Sequence, residues 1–157
     1  MRSLYWELDY KRFRIWLREK YHVEEAYIFI GFIKKYKKLY DYFEESGFTL
    51  VFKEVIYQQG RIKGNCDSDL LIQAAKDFYE GELGRAVLVA SDGDYTPLVN
   101  LLKSRNQIEV VLSPASAKRC SVLLKRTNVT MAYLNNQRSL LEKIPENEKA
   151  PDTDETA

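Results

Sequence analysis

Short apolar runs alternate with amphipathic stretches along most of the chain, and this alternation constrains its fold more than any other feature. The cleanest run is RAVLVA at residues 85–90, which is short and apolar, as a strand buried on both faces of a sheet should be. Strands are predicted at residues 23–33, 48–56, 85–90, 107–112 and 129–134, and helices at residues 9–20, 36–46, 68–79, 95–104, 116–126 and 136–143. Such alternation predicts an α/β fold of three layers, with a central, mostly parallel sheet flanked by helices.

Charge is nearly balanced over the 157 residues, with 24 basic and 23 acidic side chains and a net charge of +1. That balance excludes a strongly basic nucleic-acid binder of the kind in which the whole chain is cationic. Residues 145–157 carry five acids and one lysine, so the preceding part of the chain is mildly basic. We expect one domain at residues 1–144 and a disordered acidic tail at 145–157.

Several classes of protein are disfavoured by what the sequence lacks. No apolar run reaches the roughly 18 residues of a membrane span, and the first residues have no signal-peptide core. Cys66 and Cys120 lie in dissimilar contexts, which predicts reduced thiols in a cytoplasmic protein. Since His22 is the only histidine, a multi-histidine metal site is excluded and a histidine-based triad is disfavoured.

Two acidic clusters fall where predicted strands and helices meet. Asp67 and Asp69 open the helix predicted at 68–79, and Asp92 and Asp94 directly follow the strand at 85–90. Ligands of parallel sheets bind beyond the carboxyl ends of the strands, which is where Asp92 should emerge. Taken singly, Asp67 and Asp94 could each cap a helix, and Asp69 could interact with a helix dipole.

Taken together, the acids indicate a cation site. Two carboxylates about 4 Å apart repel by roughly 4 kcal/mol at an effective dielectric constant near 20, so their convergence at one edge needs an offsetting charge. Carboxylates without histidine or cysteine partners suit Mg²⁺ or Mn²⁺, which clamp phosphates and activate water. Residues two apart on a helix point about 200° apart, so Asp67 and Asp69 cannot both face the site unless Asp67 precedes the helix proper. Of the two, Asp67 is the favoured ligand and Asp69 ranks lower. Gly93 is expected to allow a sharp turn between Asp92 and Asp94.

The segments KGNCDSDL and VLVASDGDYTPLV resemble the NYN domain family of PIN-like ribonucleases. The resemblance extends over about residues 5–140 and implies a PIN-like, Rossmannoid fold that cleaves RNA with clustered carboxylates and a divalent metal. By analogy with that fold class, the products would carry a 5′-phosphate and a 3′-hydroxyl. The motif positions of the family that this chain matches are the acidic positions Asp67, Asp92 and Asp94, the less widespread acid Asp69, and the polar positions Asn65 and Ser91. The resemblance makes Asn65 and Ser91 candidate RNA-binding residues.

One feature of the family has no counterpart near Met1. The family opens with a strand that carries an aspartate followed shortly by an asparagine, whereas Asp9 here opens a predicted helix. We expect the natural protein to begin upstream; the alternatives are that another segment fills the place of that strand, or that the chain is a non-functional remnant. Without that first strand the sheet should have a gap, and the backbone groups on either side of the gap should lack strand partners.

A basic and aromatic cluster lies where a predicted strand meets a predicted helix. It consists of Lys34, Lys35, Lys37 and Lys38 around Tyr36, and Lys63 precedes the first acidic motif. Such a surface could follow an RNA backbone beside the metal site, with Tyr36 or Tyr95 stacking on bases. The alternative is an ordinary solvated face.

Three functions follow from these patterns. The first is a metal-dependent endoribonuclease that uses Asp67, Asp92 and Asp94. The second is a catalytically inactive remnant that binds RNA or protein, and the third is a phosphatase or receiver of the doubly wound class. A haloacid-dehalogenase-type phosphatase needs an Asp-x-Asp nucleophile on its first strand, and no such pair precedes residue 67. RNA is the expected partner, no membrane is expected, and a homodimer is left open.

Overall fold

The computed structural model describes residues 3–53, 56–63 and 67–145, and gives only the backbone at 56–58 and 61–63. Six α-helices lie in these residues: α1 (Tyr10–Tyr21), α2 (Lys37–Glu45), α3 (Asp67–Tyr79), α4 (Thr96–Ser104), α5 (Val122–Lys125) and α6 (Arg138–Leu141). The strands are β1 (Tyr27–Gly31), β2 (Thr49–Lys53), β3 (Ile56–Gln58), β4 (Arg61–Lys63), β5 (Ala86–Val89), β6 (Ile108–Ser113) and β7 (Met131–Tyr133). Nearly every predicted element is therefore present, with ends that differ by a few residues.

The strands form two parallel sheets and one hairpin. β1 pairs with β2, and β5, β6 and β7 pair in that order, all in parallel. Within the described residues no ladder joins the two parallel sheets, which agrees with the predicted gap. β3 and β4 form an antiparallel hairpin that the sequence did not predict. Gln59 and Gly60 connect the two strands and have the positive φ angles that a tight hairpin turn needs.

Helices cover both faces of the three-stranded sheet. β6 shows this best, because Val110 and Leu112 pack with α1 and α6 on one face while Val111 packs with α4 and α5 on the other. Ile28 of β1 and Val89 of β5 pack against the same buried group as Val110 and Leu112. The parallel sheets and their flanking helices make up the predicted α/β architecture, which is consistent with a PIN-like fold.

Helix α1 is held at both of its ends. Asp9 caps its first turn by accepting a hydrogen bond from the Arg12 amide, as its place at a helix start suggested. His22 ends the helix in a left-handed conformation and is exposed, so the single histidine has a capping position. Arg14 is buried and donates to three backbone carbonyls, those of Val23, Glu24 and Gly47. Burial lowers the pKa of Arg14 from its ordinary value.

The helix predicted at residues 116–126 was wrong in its length. Only Val122–Lys125 is α-helical, because Ser121 starts a new helix by accepting a hydrogen bond from the Leu123 amide. The amide of Ser121 is itself bonded to the carbonyl of Ser91, which ties this loop to the segment after β5. Tertiary contacts therefore decide where this helix begins.

Three further predictions, on the cysteines, a membrane span and the tail, can be compared with the structure only for the described residues. Cys120 is buried and forms no disulfide within the described part of the chain, whereas Cys66 lies outside it. No helix among these residues is long and apolar enough to cross a membrane. Most of the predicted tail, residues 146–157, also lies outside the described residues, so the domain boundary and the disorder of the tail stay predictions.

Candidate metal centre

The first half of the site forms directly after β5. The chain enters a short 3₁₀ turn at Gly93–Tyr95, and Asp92 caps this turn. Its Oδ1 atom accepts a hydrogen bond of 2.9 Å from the Asp94 amide. Asp94 therefore does not cap the following helix, and this local bond holds the two aspartates side by side.

The second half of the site is brought in by α3. Asp67 is the first residue of this helix, so it lies at the positive end of the helix dipole. The hydroxyl of Tyr95 donates to its Oδ1 atom at 2.5 Å. Tyr95 is only 8% exposed and packs in the core beneath the site. The hydrogen bond therefore holds the Asp67 carboxylate against a buried side chain.

Carboxylate oxygens of three aspartates converge at this point. One oxygen each of Asp67, Asp92 and Asp94 lies within 4.8 Å of the other two. Asp67 is half-buried, while Asp92 and Asp94 are exposed. At this separation two charges repel by about 1 kcal/mol in water and about 3–4 kcal/mol at an effective dielectric constant of 20. Because two of the three are exposed, the repulsion lies nearer the lower value, and a bound cation would offset it.

The expected sharp turn is present as the 3₁₀ turn that starts at Gly93. The φ of Gly93 is outside the left-handed region, so the turn needs glycine for the close approach of a neighbouring segment and not for its backbone angle. A Cβ atom at this position would lie 2.7 Å from Ser121 Oγ and 3.0 Å from Leu123 Cδ1. The start of α5 therefore packs directly on the segment that carries Asp92 and Asp94.

Asp69 has a different neighbour. Its Oδ2 atom lies 3.7 Å from Lys53 Nζ, at the end of β2. Within the described residues it is not a member of the three-aspartate group. This is the placement expected from the rotation of an α-helix, which separates side chains two residues apart.

The other predicted RNA-binding residues are distributed as follows. Four are exposed at the start of α2 and in the turn before it: Lys34, Lys35, Lys37 and Lys38. Ser91 is half-buried beside Asp92. Lys63 ends β4 but its side chain is not described, and Asn65 lies outside the described residues. Since Tyr95 is buried, it cannot stack on bases, which removes one of the two tyrosines considered for that role.

The donor set fits a hard divalent cation. Three carboxylates offer oxygen ligands only, and no histidine or cysteine of the described residues joins them. Such a set matches Mg²⁺ or Mn²⁺, which leave further positions for water and for phosphate oxygens. The residues present therefore fit the ion that the sequence predicted.

Sequence reasoning missed the residues that support the aspartates. The Tyr95 hydroxyl, the Lys53 ammonium group and Ser121 were not assigned to the site. Tyr95 stands in the VLVASDGDYTPLV motif, but its partner lies 28 residues away. No local pattern could have paired them.

Comparison with known proteins agrees with this arrangement. The sequence model of the NYN domain family matches residues 1–131. The chain belongs to the NYN domain family. Membership of this family implies a PIN-like nuclease fold, and the NYN domain here carries the acidic cluster described above.

A solved structure supports the same fold. The chain superposes on the crystal structure of a protein of unknown function from Vibrio parahaemolyticus with a TM-score of 0.63, at 21% sequence identity. The match covers 87% of this chain and 83% of that chain. Comparison with curated protein sequences gives no match. The NYN domain is therefore recognised from its family and its fold.

Proposed function

We propose that this NYN domain is a metal-dependent endoribonuclease. The observation that carries the proposal is the convergence of Asp67, Asp92 and Asp94, whose carboxylate oxygens lie within 4.8 Å of one another. Membership of a PIN-like nuclease family makes RNA the proposed substrate. Hydrolysis would leave a 5′-phosphate and a 3′-hydroxyl, by analogy with the fold class.

In this proposal the three aspartates hold Mg²⁺ or Mn²⁺. When bound, such an ion polarises the scissile phosphate and lowers the pKa of a water molecule. Tyr95 holds Asp67 in place from the core, and the Asp94 amide orients Asp92. Their contribution is to fix the ligands before substrate arrives, which reduces the cost of assembling the site.

Basic residues complete the proposed site. We propose that Lys34, Lys35, Lys37 and Lys38 contact the RNA backbone, since they are exposed and of one sign. Lys63, Asn65 and Ser91 keep their predicted RNA-binding role as part of the proposal, and Asp69 keeps a secondary place behind Asp67. The cytoplasm is the compartment that the sequence predicts.

A second candidate is an inactive module that binds RNA without cleaving it. Two observations favour it. The acidic group has three members among the described residues, without a counterpart of the aspartate that the family carries on its first strand. In addition, no ladder joins the two parallel sheets within those residues. The candidates differ in one property. Binding by the inactive module would persist in chelator, and no divalent ion would produce cleavage.

The test is cleavage of a labelled RNA in Mn²⁺ by matched variants. Asp92→Asn should abolish Mn²⁺-dependent cleavage and leave the circular dichroism spectrum unchanged. Asp67→Asn should do the same, whereas Asp69→Asn, which alters the same helix two residues later, should keep most of the activity. Full activity in Asp92→Asn, or no cleavage by the unaltered chain under any divalent ion, would remove the proposed mechanism.

A further inference from the structure

Two phenylalanines are exposed side by side at the carboxyl ends of β1 and β2. Phe32 is 52% exposed and Phe52 is 43% exposed. Their ring centroids lie 5.4 Å apart, with the planes nearly perpendicular at 88°. Tyr40, which is buried, packs under both rings, at 5.0 Å from Phe52 and 6.0 Å from Phe32. We call Phe32, Phe52 and Tyr40 the aromatic platform.

The aromatic platform is held in place by the backbone around it. The Phe32 amide donates to the Lys53 carbonyl at 2.9 Å, which extends the pairing of the two strands. The Tyr40 hydroxyl donates to the Gly31 carbonyl at 3.0 Å and accepts from the Ile33 amide at 2.9 Å. The loop that carries Phe32 is therefore bonded on both sides of this residue, and its ring is presented from a fixed backbone.

Positive charge follows the platform immediately along the chain. Lys34, Lys35, Lys37 and Lys38 are all exposed, and none forms an ion pair with any side chain that the structure describes. Among them Tyr36 is 41% exposed. Exposed rings beside unpaired cations complement a polyanion whose subunits have flat apolar faces. A protein partner would instead need a surface that is both acidic and apolar.

The platform adjoins the candidate metal centre. Phe52 is followed by Lys53, whose ammonium group lies 3.7 Å from Asp69 Oδ2. Asp69 lies in the first turn of α3, two residues after Asp67. The carboxyl end of β2 is therefore in contact with the helix terminus that supplies Asp67, although Phe52 and Lys53, as successive strand residues, point to opposite faces of the sheet.

We propose that the aromatic platform stacks on unpaired bases of a single-stranded RNA while the four lysines contact its phosphates. Bases within a duplex are stacked on one another and cannot present their faces to protein rings. The platform therefore selects single-stranded segments, at the end of β2 whose last residue contacts the first turn of α3. The inference rests on the proposed function for the identity of the ligand, and it adds a base-stacking surface and two residues, Phe32 and Phe52.

The experiment measures binding in the presence of EDTA, so that it is independent of metal and of cleavage. The probes are a fluorescent oligouridine and an RNA duplex of equal length, with the full 157-residue chain. Phe32→Leu and Phe52→Leu keep apolar volume and remove the aromatic face. Tyr79→Ala is the matched control, because Tyr79 is 77% exposed at the far end of α3, about 18 Å from Asp67 along the helix.

The single-stranded probe should bind more tightly than the duplex. Each leucine variant should weaken that binding at least about five-fold, the lower end of the effect of losing one stacked base, and Tyr79→Ala should not. Lys34→Gln should flatten the salt dependence of log Kd by about 0.7, the value for one phosphate contact on a single strand. If the unfolding curves of the variants match that of the unaltered chain, the loss of affinity comes from lost contacts with RNA and not from a loss of stability.

Other results overturn the inference. Equal affinity for single-stranded and duplex RNA, or leucine variants that bind as the unaltered chain does, would remove the stacking role. A dimer that dissociates on Phe32→Leu would assign the platform to a second copy of the chain. Cleavage is measured separately with Asp92→Asn, so platform-dependent binding without cleavage would refute the nuclease proposal and keep this inference.

Discussion

Gly93→Ala should destabilise the protein by about 1–2 kcal/mol, although alanine suits the backbone at this position. Gly93 does not have a left-handed φ, so in open space the substitution would stabilise the fold by about 0.4–1 kcal/mol through the unfolded state. The new methyl group would instead lie 2.7 Å from Ser121 Oγ. If the Ser121 side chain rotates away, it loses its hydrogen bond to the Leu123 amide, a cap whose removal costs about 1 kcal/mol. Overpacking of the remaining contacts adds about 1–2 kcal/mol.

The assay is urea unfolding followed by circular dichroism, with Gly84→Ala as the matched control. Gly84 also lies outside the left-handed region, and a Cβ atom there would have no neighbour within 4 Å. Gly84→Ala should therefore leave the free energy of unfolding unchanged or raise it slightly. Equal free energies for Gly84→Ala and Gly93→Ala would refute the close approach between Gly93 and α5.

A double-mutant cycle identifies the obstacle. Ser121→Ala alone should cost about 1 kcal/mol through loss of the cap, and in that background Gly93→Ala should cost about 1 kcal/mol less than in the unaltered chain. Purely additive costs would show that Ser121 is not what the methyl group meets. Because Gly93 separates Asp92 from Asp94, the displaced segment should also bind Mn²⁺ more weakly.

Three more predictions follow from single contacts. Tyr95→Phe removes the donor to Asp67 and should lower the free energy of unfolding by about 1.5–2 kcal/mol, the lower part of the range for hydrogen bonds to charged groups; an unchanged urea midpoint would contradict the bond. Arg14→Met leaves three backbone carbonyls without their donor and should cost at least about 3 kcal/mol, and a cost no larger than that of Arg18→Met, at an exposed position, would refute this. Burial raises the pKa of Tyr10 above its ordinary value of 10.0, so its contribution is fully present below that pH and is lost as the pH rises through the folded-state pKa. Unfolding midpoints measured across about pH 9 to pH 11 should fall with pH, and Tyr10→Phe should reduce the slope.

Much of the fold could be predicted because its signals are local. The RAVLVA run predicts β5 from its length and apolar character, and the strand is observed at Ala86–Val89. A helix was predicted at residues 36–46, and α2 ends where Gly47, which follows the C-cap Ser46, has a φ of +102°. The hairpin of β3 and β4 was missed because its two strands are three residues each, too short for a period of two to be recognised.

The sequence by itself determined which chemistry is available at this site. It contains one histidine and no paired cysteine motif, so the ligands available are the carboxylate oxygens of the aspartates, which suit hard divalent cations. It also determined that Asp92 and Asp94 stand together, because a two-residue separation directly after a strand is a local property.

The sequence already favoured Asp67 over Asp69 as the third acid, but only the tertiary structure decided that Asp67 reaches the pair and what supports the group. Asp67 meets the pair through Tyr95, whereas Asp69 turns to Lys53. The physical reason is that the rotation of α3 about its own axis, and its position against the sheets, depend on packing between residues far apart in the chain. Periodicity predicts which face of a helix is apolar, but the partner of a single carboxylate is set by the packing of the whole core.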